Sequence, residues 1–255
     1  SGIGAMLSPN FDTVEVSTNL KSGDSAVNIG VLKAYGENPN SFLFNQVNIN
    51  RFDDRNTVNV GLGYRRLNAD ETWMTGFNVF YDHELSDNHK RNGAGFELIS
   101  SALELRANQY NGTTGYIKDK SGTDSKALDG NDMSLNVTLP YMPGMSLGYT
   151  STTWKGIDGM KDTKSQKYSL GGNLSDNLSL RYIRTDYKDA ATKDTDSIAL
   201  NYTWNFGQSN TKPKLFEFSS SAYELSKLGN ERYALVQREN RIVKKLSASV
   251  TLTGI

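Results

Sequence analysis

From about residue 11 to residue 206, apolar side chains recur at every second position and almost never at helical spacing, which commits this stretch to β-strands. Val58, Val60, Leu62 and Tyr64 alternate with Asn59, Gly61, Gly63 and Arg65, and a strand sends the two sets to opposite faces. The run at 73–82 sets Trp73, Thr75, Phe77, Val79 and Tyr81 against Gly76, Asn78 and Asp82, with aromatic rings at both ends of its apolar stripe. The last run is equally clear, with Ile198, Leu200, Tyr202, Trp204 and Phe206 on one face and Ala199, Asn201, Thr203 and Asn205 on the other. Similar alternation is visible at 94–98, 103–107, 133–141, 145–149 and 178–182, and more weakly at 11–20, 25–35, 41–52 and 165–174. About twelve runs result when ~9–11 residues is taken as the length of a membrane-crossing strand. Near 41–49 the parity is confused, because Phe42 and Phe44 compete with Leu43, Val47 and Ile49, and a bulge is expected there.

Connection lengths add direction. Tight links at 37–40, 68–71, 100–101, 142–144 and 175–177 alternate with longer, Lys-, Asp- and Gly-rich links at 84–91, 112–131, 155–164 and 188–195. A soluble sandwich gives no reason for one-sided loop lengths, whereas an outer-membrane barrel has short turns at one rim and long loops at the other. The expectation is an all-β, transmembrane, antiparallel up-and-down barrel of about 12 strands. In it Trp73, Phe77, Tyr81, Tyr202, Trp204 and Phe206 form a lipid-facing girdle, and Arg65, Glu97, Glu104, Arg106 and Arg181 line the lumen.

Composition agrees. Only 36% of residues are apolar and no stretch of eighteen apolar residues occurs, so a membrane helix is excluded but a barrel is not. The 13 Tyr, 10 Phe and 23 Gly against 5 Pro suit many strands and tight turns. Basic and acidic residues balance at 28 each, which gives no electrostatic case for nucleic acid. Without cysteine there is no thiolate metal site, disulfide or cysteine nucleophile. The first residues, Ser1 to Met6, lack the charge and apolar core of a signal peptide.

The C-terminal stretch breaks the strand rhythm. After the polar segment 207–214, residues 219–228 carry Tyr223, Leu225 and Leu228 between serine N-cap candidates and the Gly229-Asn230 stop, and a short helix is expected. Residues 232–246 read as extended. On residues alone, a C-terminal helix and strand capping a soluble sheet stays open as an alternative. The order Val60-Gly61-Leu62-Gly63-Tyr64-Arg65, Gly76 to Asp82, Gly93-Ala94-Gly95-Phe96-Glu97, the run 131–143, and a tail with Arg232, Tyr233, Leu235, Val236, Arg238, Asn240, Ile242 and Val243 resembles the intimin/invasin family, the inverse autotransporters.

That resemblance implies an N-terminal periplasmic lead-in at 1–10, an outer-membrane translocator barrel at 11–206, a pore-threading linker at 207–246 and the start of a passenger at 247–255. It implies a Gram-negative outer membrane, with the N-terminus periplasmic and the C-terminal end extracellular. The function it implies is export and anchoring of an adhesin-type passenger. Expected partners are outer-membrane lipid, the barrel-assembly machinery, periplasmic chaperones and the chain's own passenger, with the host receptor unknown and no cofactor. The linker residues singled out are Tyr223, Leu225, Leu228, Glu231, Arg232, Tyr233, Leu235, Val236, Arg238, Asn240 and Ile242, with the helix expected inside the pore. A chain stopping at Ile255 is read as an excised transporter domain or a form with little cargo.

Other chemistry is weighed and set aside. An outer-membrane solute channel with a plugged pore is the first alternative, and an outer-membrane hydrolase is the second. His83 and His89 lie close to Asp82 and Asp87, which is the raw material of a His/Asp base, but Ser86 and Ser100 offer no nucleophile spacing. The carboxylates at 119–124 and 158–162 lack the ligand series of a calcium loop. No catalytic, metal or cofactor residue is assigned.

Overall fold

The protein is described by a computed structural model covering residues 10–21, 24–52, 54–118, 122–188, 192–206 and 211–246. The expected lead-in (1–10, apart from residue 10), the first residues of the linker (207–210) and the passenger start (247–255) lie outside the described residues. The strands in chain order are β1 (Thr13–Lys21), β2 (Asp24–Asn38), β3 (Ser41–Phe52), β4 (Arg55–Leu67), β5 (Trp73–Glu84), β6 (Lys90–Ser100) and β7 (Leu103–Gly112). There follow β8 (Ile117–Lys118), β9 (Asp124–Ala127), β10 (Gly130–Leu139), β11 (Met142–Trp154), β12 (Thr163–Asn173), β13 (Leu178–Tyr187), β14 (Thr195–Asn205) and β15 (Lys244–Leu246).

Twelve of these, β1 to β7 and β10 to β14, make one closed antiparallel barrel, sealed by β1 against β14 from Thr13↔Asn205 to Lys21↔Ser197. Closure leaves no unpaired strand edge, the condition for crossing a bilayer with strands. The remaining three form a small separate sheet in the order β15, β9, β8.

Register puts the alternating sets where the pattern requires. Val58, Val60, Leu62 and Tyr64 lie opposite Ile49, Val47, Asn45 and Leu43 on one side and His83, Tyr81, Val79 and Phe77 on the other, a continuous outer belt. Leu62 and Phe77 are more than half exposed there, an outlay of apolar surface that only lipid makes favourable. Arg65, Asn78, Asp82 and Glu97, of opposite parity, are buried inside.

The turns divide the barrel into two rims. The short-turn rim holds the links after β2, β4, β6, β10 and β12, built from local side-chain bonds. Asn68 Oδ1 accepts from the backbone of Thr72 and Trp73 (2.8 and 3.0 Å), and Ser100 Oγ accepts from Leu103 N (3.0 Å). The other rim carries the long links after β5, β7, β11 and β13, with β8 and β9 folded within the second of these. The links after β1 and β3, also at this rim, are tight, so loop-length asymmetry begins only at β5.

The bulge expected at 41–49 is not there. β3 pairs with β4 without a shift from Ser41 to Phe52, and the irregularity lies in β2, between Tyr35 and Asn38, where Gly36 has φ +60°. Parity near 41–49 is confused for another reason: Phe42 and Phe44 point into the lumen, and part of that lumen is apolar.

A polypeptide thread through the lumen

Residues 211–228 run along the short-turn rim, bonded to one turn after another. Leu215 N donates to Asn173 O (2.8 Å), Ser219 N to Tyr141 O (2.9 Å), Ser226 N to Ser101 Oγ (3.0 Å) and Leu228 N to Glu71 O (2.8 Å). This corrects the expected helix. Residues 219–228 are not helical; Tyr223 and Leu225 are about half exposed (53% and 46%), Tyr223 at the edge of the lumen cavity and Leu225 outside its lining. The physical reason is competition for backbone groups: the turn tips take N–H groups that a helix needs for itself, and Ser219 Oγ bonds Ser221 N (3.2 Å). The linker's only helical element among the described residues is a single 3-10 turn, Asn230–Tyr233.

That turn is where the chain enters the barrel. Arg232 pairs with Glu71 (2.8 Å), and the Tyr233 hydroxyl donates to Glu37 (2.6 Å), both at the rim, while Glu231 sits in the first turn. Leu228, Tyr233, Leu235 and Val236 then pack on Leu32, Phe42, Phe44, Met74, Phe80 and Ile99. These wall residues come from β2 to β6, so the lumen holds an apolar core on that side. Gly30 leaves room for it, since a Cβ there would sit 2.4 Å from Leu235 Cδ1.

Above the core, residues 234–243 have no strand partner, and wall side chains satisfy their backbone instead. Arg65 Nη1 donates to the carbonyls of Arg232 and Ala234 (2.8 and 2.7 Å) while its Nε holds Glu97 (2.9 Å). Gln46 accepts from Val236 N (2.7 Å) and its amide faces Val236 O (3.4 Å). Arg91 donates to Glu239 O (2.6 Å), and Glu239 N donates to the Tyr110 hydroxyl (2.8 Å). Asn59 donates to Asn240 O (2.9 Å) and Arg55 to Ile242 O (3.3 Å).

The charged side chains of the thread are paired as well. Arg238 makes a two-pronged contact with Asp82 (2.7 and 2.8 Å) and lies over the rings of Phe80 and Tyr110. Asp82 also accepts from Arg91 Nε (2.8 Å) and Asn59 Nδ2 (2.7 Å). Glu239 pairs with Arg241 (2.9 Å), and Lys244 with Glu84 and Asp87. At the long-loop rim Leu128 N donates to Val243 O (2.9 Å), and β15 joins β9 with Lys244 opposite Ala127 and Leu246 opposite Ser125.

The opposite half of the barrel is open. A cavity of about 1100 Å³ is lined by Glu15, Glu104, Asn136, Lys167, Arg181 and Asn201, among others. Of the residues assigned to the lumen, Arg65, Glu97 and Arg106 form one buried cluster, with Arg106 also reaching Glu104 (2.5 Å). Arg181 stands apart and donates to Ser146 (2.9 Å) and Ser169 (3.1 Å).

Outside, the Tyr202 and Trp204 rings meet at a tilt of 55° (centres 4.4 Å apart) beside Val16 and Val14 of β1, Phe77 meets Phe96, and Trp73 opens β5 at the short-turn rim. Phe206 lies just past β14, its N–H bonded to Asp12 O (2.9 Å). The histidines fall on opposite faces of the wall: His83 is outside in register with Val58, and His89 is buried against Ser125 (2.9 Å). They cannot share one base. No cluster of metal-ligating groups occurs among the described residues.

Sequence reasoning missed Gln46, Asn59, Arg91 and Tyr110, which hold the thread, and left Asp82 only as a possible base. Their signal was faint: polar residues of inward parity are expected throughout such a barrel.

The chain is similar to several known proteins. Over 258 residues the chain is 27% identical to the inverse autotransporter adhesin YeeJ of Escherichia coli strain K12, covering 95% of this chain and 11% of that protein. It is 27% identical to intimin of Citrobacter freundii, covering 92% of this chain and 25% of that one. It thus spans a small share of both relatives. A solved chain described as "Unveiling the Mechanism Behind the in-meso Crystallization of Membrane Proteins" superposes with a TM-score of 0.81 at 20% identity, covering 93% of this chain and all of the other, a likeness of fold. The model of the family "Inverse autotransporter, beta-domain" matches residues 4–240, which takes in all twelve barrel strands and the thread as far as Asn240. The chain belongs to the inverse autotransporter β-domain family of non-catalytic outer-membrane barrels.

Proposed function

We propose that this barrel exports a C-terminal adhesin-type passenger and afterwards anchors it. The observation that supports this is the thread itself: a single extended segment enters at the short-turn rim, is held by lumen-wall side chains at the backbone of Ala234, Val236, Glu239, Asn240 and Ile242, and leaves at the long-loop rim beside β9. A segment built only to block a pore has no need to emerge and join a sheet at the far side.

In this reading the short-turn rim and the N-terminus face the periplasm and the long-loop rim faces the outside. Residues 11–206 are the translocator, 207–246 the linker, and the passenger continues from 247. Outer-membrane lipid meets the apolar belt. The barrel-assembly machinery and periplasmic chaperones enter as partners through the family alone.

Thiol labelling of intact cells tests this. A cysteine at Ser249 reacts with a bulky external reagent, while one at Leu225, on the short-turn rim, reacts only when the reagent is given access to the periplasm. Labelling of position 225 from outside, with position 249 reached only from the periplasm, inverts the topology and removes the export reading.

The open cavity supports a second reading, a solute channel narrowed by the thread. Planar-bilayer conductance separates the two. A translocator conducts poorly until residues 219–246 are deleted, and a channel conducts with them in place.

A further inference from the structure

The lumen wall holds a slot that receives one guanidinium group. Asp82, Arg91 and Asn59 belong to the wall; Arg91 Nε and Asn59 Nδ2 each donate to Asp82, and both side chains also reach thread carbonyls, those of Glu239 and Asn240. Two carboxylate lone pairs of Asp82 are taken by these neighbours, and the remaining two face Arg238 Nη1 and Nη2 at 2.7 and 2.8 Å. The wall below and beside is Phe80, whose ring centre is 4.4 Å from the Arg238 guanidinium carbon, and Tyr110, whose ring centre is at 5.3 Å. The third side is Gly93, where a Cβ would come within 2.7 Å of Arg238 Nη2. Arg91 and Arg238 bring two cations to one carboxylate, and the π faces of the two rings offset the surplus. Asp82 and Arg91 are fully buried and the Arg238 side chain is 2% exposed. The slot fits a planar fork, which an ammonium or an amide does not reproduce.

The thread offers few substitutes. Between residues 234 and 243 the other cation is Arg241, already held by Glu239 and lying over Phe52. Arg232 is six residues back, on the order of 20 Å along an extended chain, and pairs with Glu71 at the rim. Apolar contacts below the slot are non-directional, so Leu235 or Val236 can trade places with another apolar residue, whereas the slot accepts one group in one orientation.

We infer that the Asp82 slot is a stop: it captures Arg238 as the linker is drawn outward and thereby sets how much chain leaves the barrel. Arg238 is a positioning residue in this account, and the inference rests on the export reading above.

The test moves the arginine. The full chain with its passenger is produced in cells with Gln46→Cys as a wall reporter, because Gln46 brackets the backbone of Val236. With a short thiol crosslinker, Gln46→Cys joins Val236→Cys in the parent. When Asn240→Arg is combined with Arg238→Cys, or with Arg238→Gln and Val236→Cys to read position 236, the arginine lies two residues later. The chain then rests two residues back, about 7 Å, and Gln46→Cys joins position 238 instead of 236. In Arg238→Gln, crosslinking from Gln46→Cys spreads over cysteines placed singly at 234 and 236 while external protease still reaches the passenger. Crosslinking that stays at 236 in both variants overturns the stop and assigns the register to the apolar contacts. A passenger beyond reach of protease in the parent instead overturns the export reading, whatever the crosslinks show.

Discussion

The two halves of this barrel solve the interior problem in opposite ways. Strands β2 to β7 close on the thread, with an apolar core at one level and buried ion pairs above it, and Arg65, Asp82 and Arg91 are entirely shielded. Strands β10 to β14 and β1 face a cavity of about 1100 Å³ with scattered polar groups such as Arg181 and Lys167. The outer faces of both halves are alike, apolar and alternating. The difference teaches that the membrane dictates the outside of such a barrel, while its contents dictate the inside. Where the lumen is open, inward residues stay polar, from Ser146 and Ser169 to Arg181, and where it is filled by polypeptide they become a protein core with all the demands of one.

Substitutions that strike the two halves unequally test this contrast. The largest effect belongs to Arg65→Ala, which takes from Glu97 its 2.9 Å partner, leaving Arg106 at 3.7 Å, and frees two carbonyls of the thread in a dry site; about 3–5 kcal/mol of stability is expected to be lost. Arg181→Ala, beside the open cavity, is expected to cost about 1 kcal/mol or less, since water replaces its serine partners. Urea unfolding of the barrel reconstituted in lipid reads both, and equal losses dissolve the distinction.

Next is Leu235→Ala, which empties a site in the apolar core and costs roughly 2–5 kcal/mol in the same measurement. A loss below about 1 kcal/mol in that assay places Leu235 outside a packed core.

The outer face supplies the third. Leu200→Arg, outward and in register with Thr18 and Leu180, is expected to cost roughly 2–4 kcal/mol near mid-membrane, and Asn201→Ala, facing the cavity, far less. Matching penalties at 200 and 201 reverse the assigned faces.

The smallest effect is expected at Leu225→Ala. Its side chain is half exposed on the rim, so stability should change by no more than about 0.5 kcal/mol. A loss comparable to Leu235→Ala restores the expectation of a residue packed inside the pore.

Much of the fold was legible because lipid imposes a strict rule. Val58 to Tyr64 and Ile198 to Trp204 obey a period of two, and the register of β4 and β14 follows it. Legibility failed where the interior is protein. Phe42, Phe44 and Phe80 are apolar on the inward face because they meet Tyr233, Leu235 and Arg238, contacts between residues more than 150 positions apart that local pattern cannot carry. The missing helix at 219–228 has the same origin. Serine caps and a glycine stop favour a helix locally, but the turns after β4, β6 and β10 claim the backbone first. Asp82 illustrates a third kind of failure, since its neighbour His83 in sequence is outside the wall and its partner Arg238 is 156 residues away.

The most direct test of the account asks which half of the lumen holds the thread. Asn240→Cys is combined either with Asn59→Cys in the closed half or with Asn201→Cys in the open half, and a short thiol crosslinker is applied to the barrel in its membrane. Asn59 bonds the Asn240 carbonyl at 2.9 Å, so the account predicts efficient joining of 59 to 240 and little joining of 201 to 240. Equal yields from the two pairs would mean a thread free in the lumen, and would contradict it.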